Sequence, residues 1–265
     1  MKTVEIADAR VAYRVDGAGP GLVLVHGTGG NGETNWGHLV PELARHWTVV
    51  RPDYSGSGET RDTGGTLSVQ HLAAEVLAAA EAAGATPFDL VGFSLGAAVA
   101  MQIAADHPHL VRRVVLLGAF LDGADPRQQM QFGLWNDLIR TDREAMARLV
   151  LLTGFSPVFL SSLGHGGISE AAAAIAAETD WAGIARQVDL DLSVDVAEAA
   201  RRMDKPVLVI GRTHDHMVPP DEARSVAAAI PGARYVDLPT SHLAAIEQPG
   251  AFTELLREFL LEEQH

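Results

Sequence analysis

Cysteine is missing altogether from the 265 residues. That excludes disulfides, thiolate metal sites and a cysteine nucleophile at once. Lysine is nearly missing too, occurring only at Lys2 and Lys205. With 20 Lys+Arg against 34 Asp+Glu, the formal net charge is −14. No basic patch breaks that acidity, so neither nucleic acid nor an anionic membrane surface is an expected partner. Long apolar runs are absent as well. None approaches the roughly 20 residues needed to span a bilayer, and the opening Met1-Lys2-Thr3-Val4-Glu5-Ile6-Ala7-Asp8 has no apolar signal core. A soluble, cytoplasmic protein is the expectation. Monomer and homodimer remain open.

What is present is ordinary for a globular chain: 47% apolar and 20% charged residues, enough for one large α/β domain with an inserted segment. The pattern alternates. Thr3 to Val15 reads as an antiparallel hairpin at a sheet edge. Leu22–Val25, Thr48–Asp53, Asp89–Phe93, Arg113–Gly118, Pro206–Ile210 and Ala233–Leu238 are short apolar runs expected of strands buried on both faces. Between them lie helical patterns at Trp36–Trp47, Ser68–Ala83, Leu95–His107, Asp221–Ile230 and Ala251–Leu261. Such alternation predicts a parallel sheet with helices on both faces. From 121 to 204 it stops. That stretch reads as a helical insertion and holds many of the large side chains: Met130, Phe132, Trp135, Phe155, Phe159 and Trp181. The expected organisation is a core of 1–120 and 205–265 with a cap of 121–204.

The chemistry concentrates at Gly92-Phe93-Ser94-Leu95-Gly96, a Gly-x-Ser-x-Gly run between a strand and a small-residue helix. A nucleophile on so sharp a turn needs glycine where a Cβ would strike its neighbours. A serine that merely caps the next helix is the plainer alternative. A serine nucleophile needs a base, and the base an orienting carboxylate. His242 follows the last strand, Asp215 follows the strand ending at Ile210, and Asp122 is a second candidate acid. Ligands of parallel sheets bind beyond the carboxyl ends of the strands, where His26-Gly27, Ser94, Asp215 and His242 all fall. The Gly-rich stretch Gly27 to Gly32 has no Gly-Lys-Ser/Thr after it, which argues against a phosphate loop. His214 and His216 stand at strand spacing, but no second ligand cluster accompanies them, so no metal is expected.

These pieces, taken in order, resemble the α/β-hydrolase family: His26-Gly27, Asp53 with Gly56-x-Gly58, Gly92 to Gly96, Gly211 to Asp215 with Val218-Pro219, and His242 with Glu247-x-Pro249. The resemblance implies an eight-stranded, mostly parallel sheet with an α-helical cap after strand six. It implies catalytic Ser94, Asp215 and His242, and an oxyanion hole made by the N–H groups of Leu95 and Thr28. Ser94 argues against the dehalogenase and epoxide hydrolase branches, which carry aspartate there. Leu243 and Phe93 depart from the carbon–carbon hydrolase pattern. The tail from Pro231 to Pro249 is similar to enol-lactonase and small esterase members. The expected activity is therefore hydrolysis of a small carboxylic ester, lactone or thioester without a cofactor. Phe93, Met130, Trp135, Phe155, Phe159 and Trp181 are the expected lining of an apolar substrate pocket. A cofactor-free lyase, cyclase or carbon–carbon hydrolase is the alternative on the same scaffold, and a small-molecule-binding protein a further one.

Overall fold

The computed structural model describes residues 1–262. The last three residues of the expected core segment, 263–265, lie outside it. The chain runs β1 (Lys2–Ile6), β2 (Ala9–Asp16), β3 (Gly21–Val25), α1 (Val40–Leu43), β4 (Thr48–Asp53), β5 (Arg61–Asp62), α2 (Val69–Ala82), β6 (Phe88–Phe93), α3 (Leu95–Asp106) and β7 (Val111–Leu117). Four helices follow without a strand: α4 (Pro126–Thr141), α5 (Arg143–Gly154), α6 (Pro157–Glu178) and α7 (Trp181–Asp191). Then come α8 (Ala197–Arg202), β8 (Val207–Arg212), α9 (Pro220–Ala229), β9 (Arg234–Leu238), α10 (Ala244–Glu247) and α11 (Pro249–Leu260).

Eight strands form one sheet in the order β1-β2-β4-β3-β6-β7-β8-β9, and the two-residue β5 pairs with β2 as a ninth. The pairing from β4 through β9 is parallel, while β1, β2 and β5 pair antiparallel. Every residue of β3, β6 and β8 is buried. That is why these strands read as unbroken apolar runs rather than alternating ones. One apolar cluster fills the face covered by α2, α3, α8 and α9. A second, built on Trp36, Trp47 and Phe252, fills the face covered by α1 and α11.

The helix expected over Trp36–Trp47 is shorter than its pattern. It is a single tight turn at Gly37–Leu39 followed by the four residues of α1. Pro41 sits in the first turn of α1. It lacks an N–H, and its ring would collide with a carbonyl one turn earlier, so an α-helix cannot run through it from Trp36.

The helices between β7 and β8 enclose a third cluster, centred on Phe132, Trp135, Met146, Trp181 and Ile184. The end of this stretch packs elsewhere: Val194, Val196, Ala199, Ala200 and Met203 are buried with the sheet core, and α8 lies against α3. Helix α6 breaks at Gly164, whose φ of 63° is left-handed. Among the described residues no helix is long and apolar enough to cross a membrane.

Candidate active site

Ser94 lies between the end of β6 and the start of α3. Its backbone adopts φ 55° and ψ −122°, a conformation that non-glycine residues rarely take and that costs about 1–3 kcal/mol. The flanking glycines make the turn possible. A Cβ on Gly92 would overlap the Gly96 carbonyl and lie 2.7 Å from Ala97 Cα, and one on Gly96 would overlap the carbonyl oxygens of Val25 and His26. The Ser94 N–H is tied to the Leu117 carbonyl at 2.8 Å. Its hydroxyl does not cap α3, so the plainer helix-capping alternative fails. Instead the residue faces a cavity of about 490 Å³ beneath α4 to α7.

His242 lines the same cavity. Its Nδ1 lies 2.8 Å from Asp215 Oδ2, which leaves Nε2 as the ring nitrogen free to exchange a proton. Asp215 is gripped from all sides. Its Oδ1 accepts the N–H groups of Met217 (2.7 Å) and Val218 (2.9 Å). Its Oδ2 accepts Arg212 Nε at 2.8 Å and a further bond from Arg212 Nη2. Burial alone would raise this carboxyl, but the opposing charges of His242 and Arg212 and the hydrogen bonds hold it well below the usual carboxylate range. The second candidate acid, Asp122, is exposed; its Oδ1 accepts the Ala124 N–H in a turn.

The loop after β3 forms the opposite wall. His26 is fully buried, its ring stacked on Tyr54 with centroids 3.8 Å apart. Its Nδ1 lies 2.9 Å from the Gly27 carbonyl and its Nε2 2.9 Å from Ser57 Oγ. Burial pushes the imidazole down to about 4, so it is neutral at physiological pH. Asp53 holds the glycine run from below, its Oδ1 accepting the Gly32 N–H at 2.8 Å. Thr28 lines the cavity, and its N–H has no partner among the described residues. Leu95 heads α3, where an N–H has no carbonyl a turn earlier to bond. Two amides are thus free at the mouth of the turn that carries Ser94.

Of the expected pocket residues, Phe93, Trp135, Phe155 and Trp181 line the cavity. Met130 does not. It is 72% exposed, because the buried face of α4 runs through Gln128, Phe132, Trp135 and Ile139 and Met130 points to the other side. Phe159 does not line the cavity either; it is half-buried and stacks on Phe155 with centroids 4.7 Å apart. Met146, Ile184 and Met217 supply apolar wall that composition alone did not single out. His214 and His216 are exposed, and no cluster of three or more potential metal ligands occurs among the described residues.

Three buried polar residues escaped the sequence reading. Arg212 carries a charge at the end of an apolar strand, three residues before the acid it contacts. Gln187 and Asp191 stand one turn apart on α7, with side chains inside the protein. Their signal was the polar side chain set beside the apolar Ile184 and Val188.

Residues 20–249 match the family described as alpha/beta hydrolase fold. The chain is 63% identical to the pyrrolizixenacetamide deacetylase of Xenorhabdus hominickii, over 99% of both chains. Among solved structures it resembles a hydrolase from Pseudomonas aeruginosa PA01, with TM-score 0.87 and 28% identity over 98% of this chain and 97% of that one. It also resembles the enol-lactonase of Burkholderia xenovorans LB400, with TM-score 0.86 and 26% identity over 98% of this chain and 100% of that one.

Proposed function

This chain belongs to the α/β-hydrolase family and is a hydrolase, and we propose that it removes a small acyl group from an apolar amide or ester through Ser94, His242 and Asp215. The observation that carries this reading is Ser94 itself. It is held in a strained turn, its hydroxyl is unused by the adjacent helix, and it shares one apolar cavity with His242, which is hydrogen-bonded to Asp215 behind it. Ser94 Oγ attacks the acyl carbon while His242 Nε2 takes its proton. Asp215 fixes the ring through Nδ1 and balances the imidazolium charge. The N–H groups of Thr28 and Leu95 receive the charge that develops on the carbonyl oxygen. His242 returns the proton to the leaving nitrogen or oxygen, then deprotonates the water that frees the acid.

The amide is the reading favoured by the deacetylase relative, whose name specifies an acetamide. A lactone or simple ester is the second reading, favoured by the enol-lactonase neighbour. The cavity wall suits either. It is mostly apolar, and on α4 it carries two buried donors without partners, Gln131 Nε2 and Trp135 Nε1. A substrate with an apolar body and one acceptor oxygen away from the scissile bond would satisfy them. Helices α4 to α7 act as the cap, and the stretch from Val194 to Met203 belongs with the core on which it packs.

The test pairs p-nitroacetanilide with p-nitrophenyl esters from acetate to decanoate, using wild type and Ser94→Ala. Wild type is expected to turn over the shortest acyl groups best. The variant is expected to lose about 10³-fold or more in kcat with its circular dichroism unchanged. Turnover that survives Ser94→Ala would overturn the nucleophile. Turnover of esters with none of the anilide would select the second reading.

A further inference from the structure

Helix α7 is bound to the catalytic face by polar contacts made at its buried side. Arg186 donates to Asp62 of β5 through Nη1 (3.0 Å) and Nη2 (2.8 Å). Gln187 is fully buried. Its Oε1 accepts the Gly29 N–H at 2.9 Å, and its Nε2 donates to the Ser55 carbonyl at 3.3 Å. Asp191, one turn on and also fully buried, accepts the Thr28 hydroxyl at 2.6 Å through Oδ2, while its Oδ1 has no partner. The helix comes this close because Gly183 faces Gly56; a Cβ on Gly183 would overlap the Gly56 carbonyl.

Thr28 supplies one of the two oxyanion donors in the reading above. Its side chain and the amide that follows it are both held by α7. We infer that Gln187 and Asp191 are positioning residues, which fix the Thr28–Gly29 loop so that the Thr28 N–H points at the developing oxyanion. The inference rests on the proposed acyl-transfer reading. It joins the cap to the chemistry: one of its helices sets the geometry of the catalytic loop, so a cap that lifted at α7 would loosen the hole.

The charge state of Asp191 fits the role. Among the described residues it forms no ion pair with arginine, lysine or histidine. Its titratable neighbour is Tyr54, after β4, whose hydroxyl is pushed upward by burial first and then by the charges of Asp191 and of Glu75 on α2. Burial raises Asp191 itself to about 8. At neutral pH it is therefore an uncharged acid, which can hold Thr28 without setting a negative charge beside the developing oxyanion. Above that pH its charge would oppose the transition state.

The experiment compares Gln187→Met, Asp191→Asn and Asp191→Leu with wild type on p-nitrophenyl acetate, from about pH 6 to about pH 9.5, with Ser94→Ala as the blank. Amide exchange of the 26–32 segment is followed in parallel. Gln187→Met is expected to lower kcat by about 10- to 100-fold with KM within about threefold, and to speed exchange at Gly29. Asp191→Leu is expected to fall similarly. Asp191→Asn, neutral and of the same shape, is expected to restore most of that loss and to lack the decline that wild type shows above about pH 8. Wild-type kcat in Gln187→Met, or Asp191→Asn as slow as Asp191→Leu at neutral pH, would overturn the positioning role while Ser94→Ala stays inactive. Turnover that persists in Ser94→Ala would overturn the acyl-transfer reading, and the positioning role with it.

Discussion

Two residues divide the electrostatic work around His242. Asp215 Oδ2 is shared between the imidazole and the buried Arg212 guanidinium, so the acid serves a structural cation and the imidazole through one oxygen. Removing the cation leaves a buried carboxylate short of its counter-charge. Arg212→Met is expected to cost about 3–5 kcal/mol, the range for breaking a buried ion pair from one side, as read by urea unfolding at pH 7. The pH dependence gives a second check. The Asp215 carboxyl sits below its unfolded value, so its contribution is present above about pH 4 and lost as pH falls below that. Without Arg212 the folded value rises towards the unfolded one. The variant is therefore expected to be less stable at pH 7 and also to show a shallower loss of stability in acid. A parallel offset between the two curves would count against Arg212 as one of the groups that depress Asp215.

At the level of elements, the sheet was legible because its strands are buried on both faces. Leu22–Val25 and Pro206–Ile210 could hardly be anything else, and the motif residues fall just past strand ends where the topology gathers them. The helical stretch was less legible. Its apolar residues divide between the cavity wall, the helix-to-helix contacts and solvent, and spacing alone does not separate these, which is why Met130 and Phe159 were misplaced. Gln187 and Asp191 were missed for a related reason: a polar side chain on a helix reads as solvated unless its partner, here a loop about 160 residues earlier, is already in view. The strand-to-helix turn invites a direct test of the legible part. Gly96→Ala puts a methyl against the carbonyl oxygens of Val25 and His26, backbone atoms that cannot swing aside. It is expected to cost about 3 kcal/mol and to lower kcat on short esters by displacing Leu95. A variant with wild-type thermal stability would show that β3 and α3 can separate at this contact.

Across the whole molecule, buried carboxyls pull the pH–stability curve in opposite directions. Partial burial alone would raise Asp62, but the hydrogen bonds from Arg186, Gly64 and Ser55 and the Arg186 charge together hold it at about 2. It favours folding above about pH 4, and that contribution fades as pH falls. Asp191 does the reverse. Its folded value of about 8 lies above the unfolded value near 4, so between those limits the folded chain binds the extra proton. Stability from this group is fully present below about pH 4, declines as pH rises and is spent above about pH 8. The formal net charge of −14 adds self-repulsion over the same range, so a fall in wild-type stability towards alkaline pH would not by itself identify Asp191. The difference between wild type and Asp191→Asn does, because the substitution leaves the other charges in place. Urea midpoints measured from about pH 4 to about pH 9 are expected to converge with those of Asp191→Asn at the acid end. They should separate progressively from there up to about pH 8, with the variant the more stable, and run parallel above it. Curves that stay parallel through that window would mean that Asp191 is ionised throughout, and that the Thr28 loop is held by a carboxylate rather than by a neutral acid.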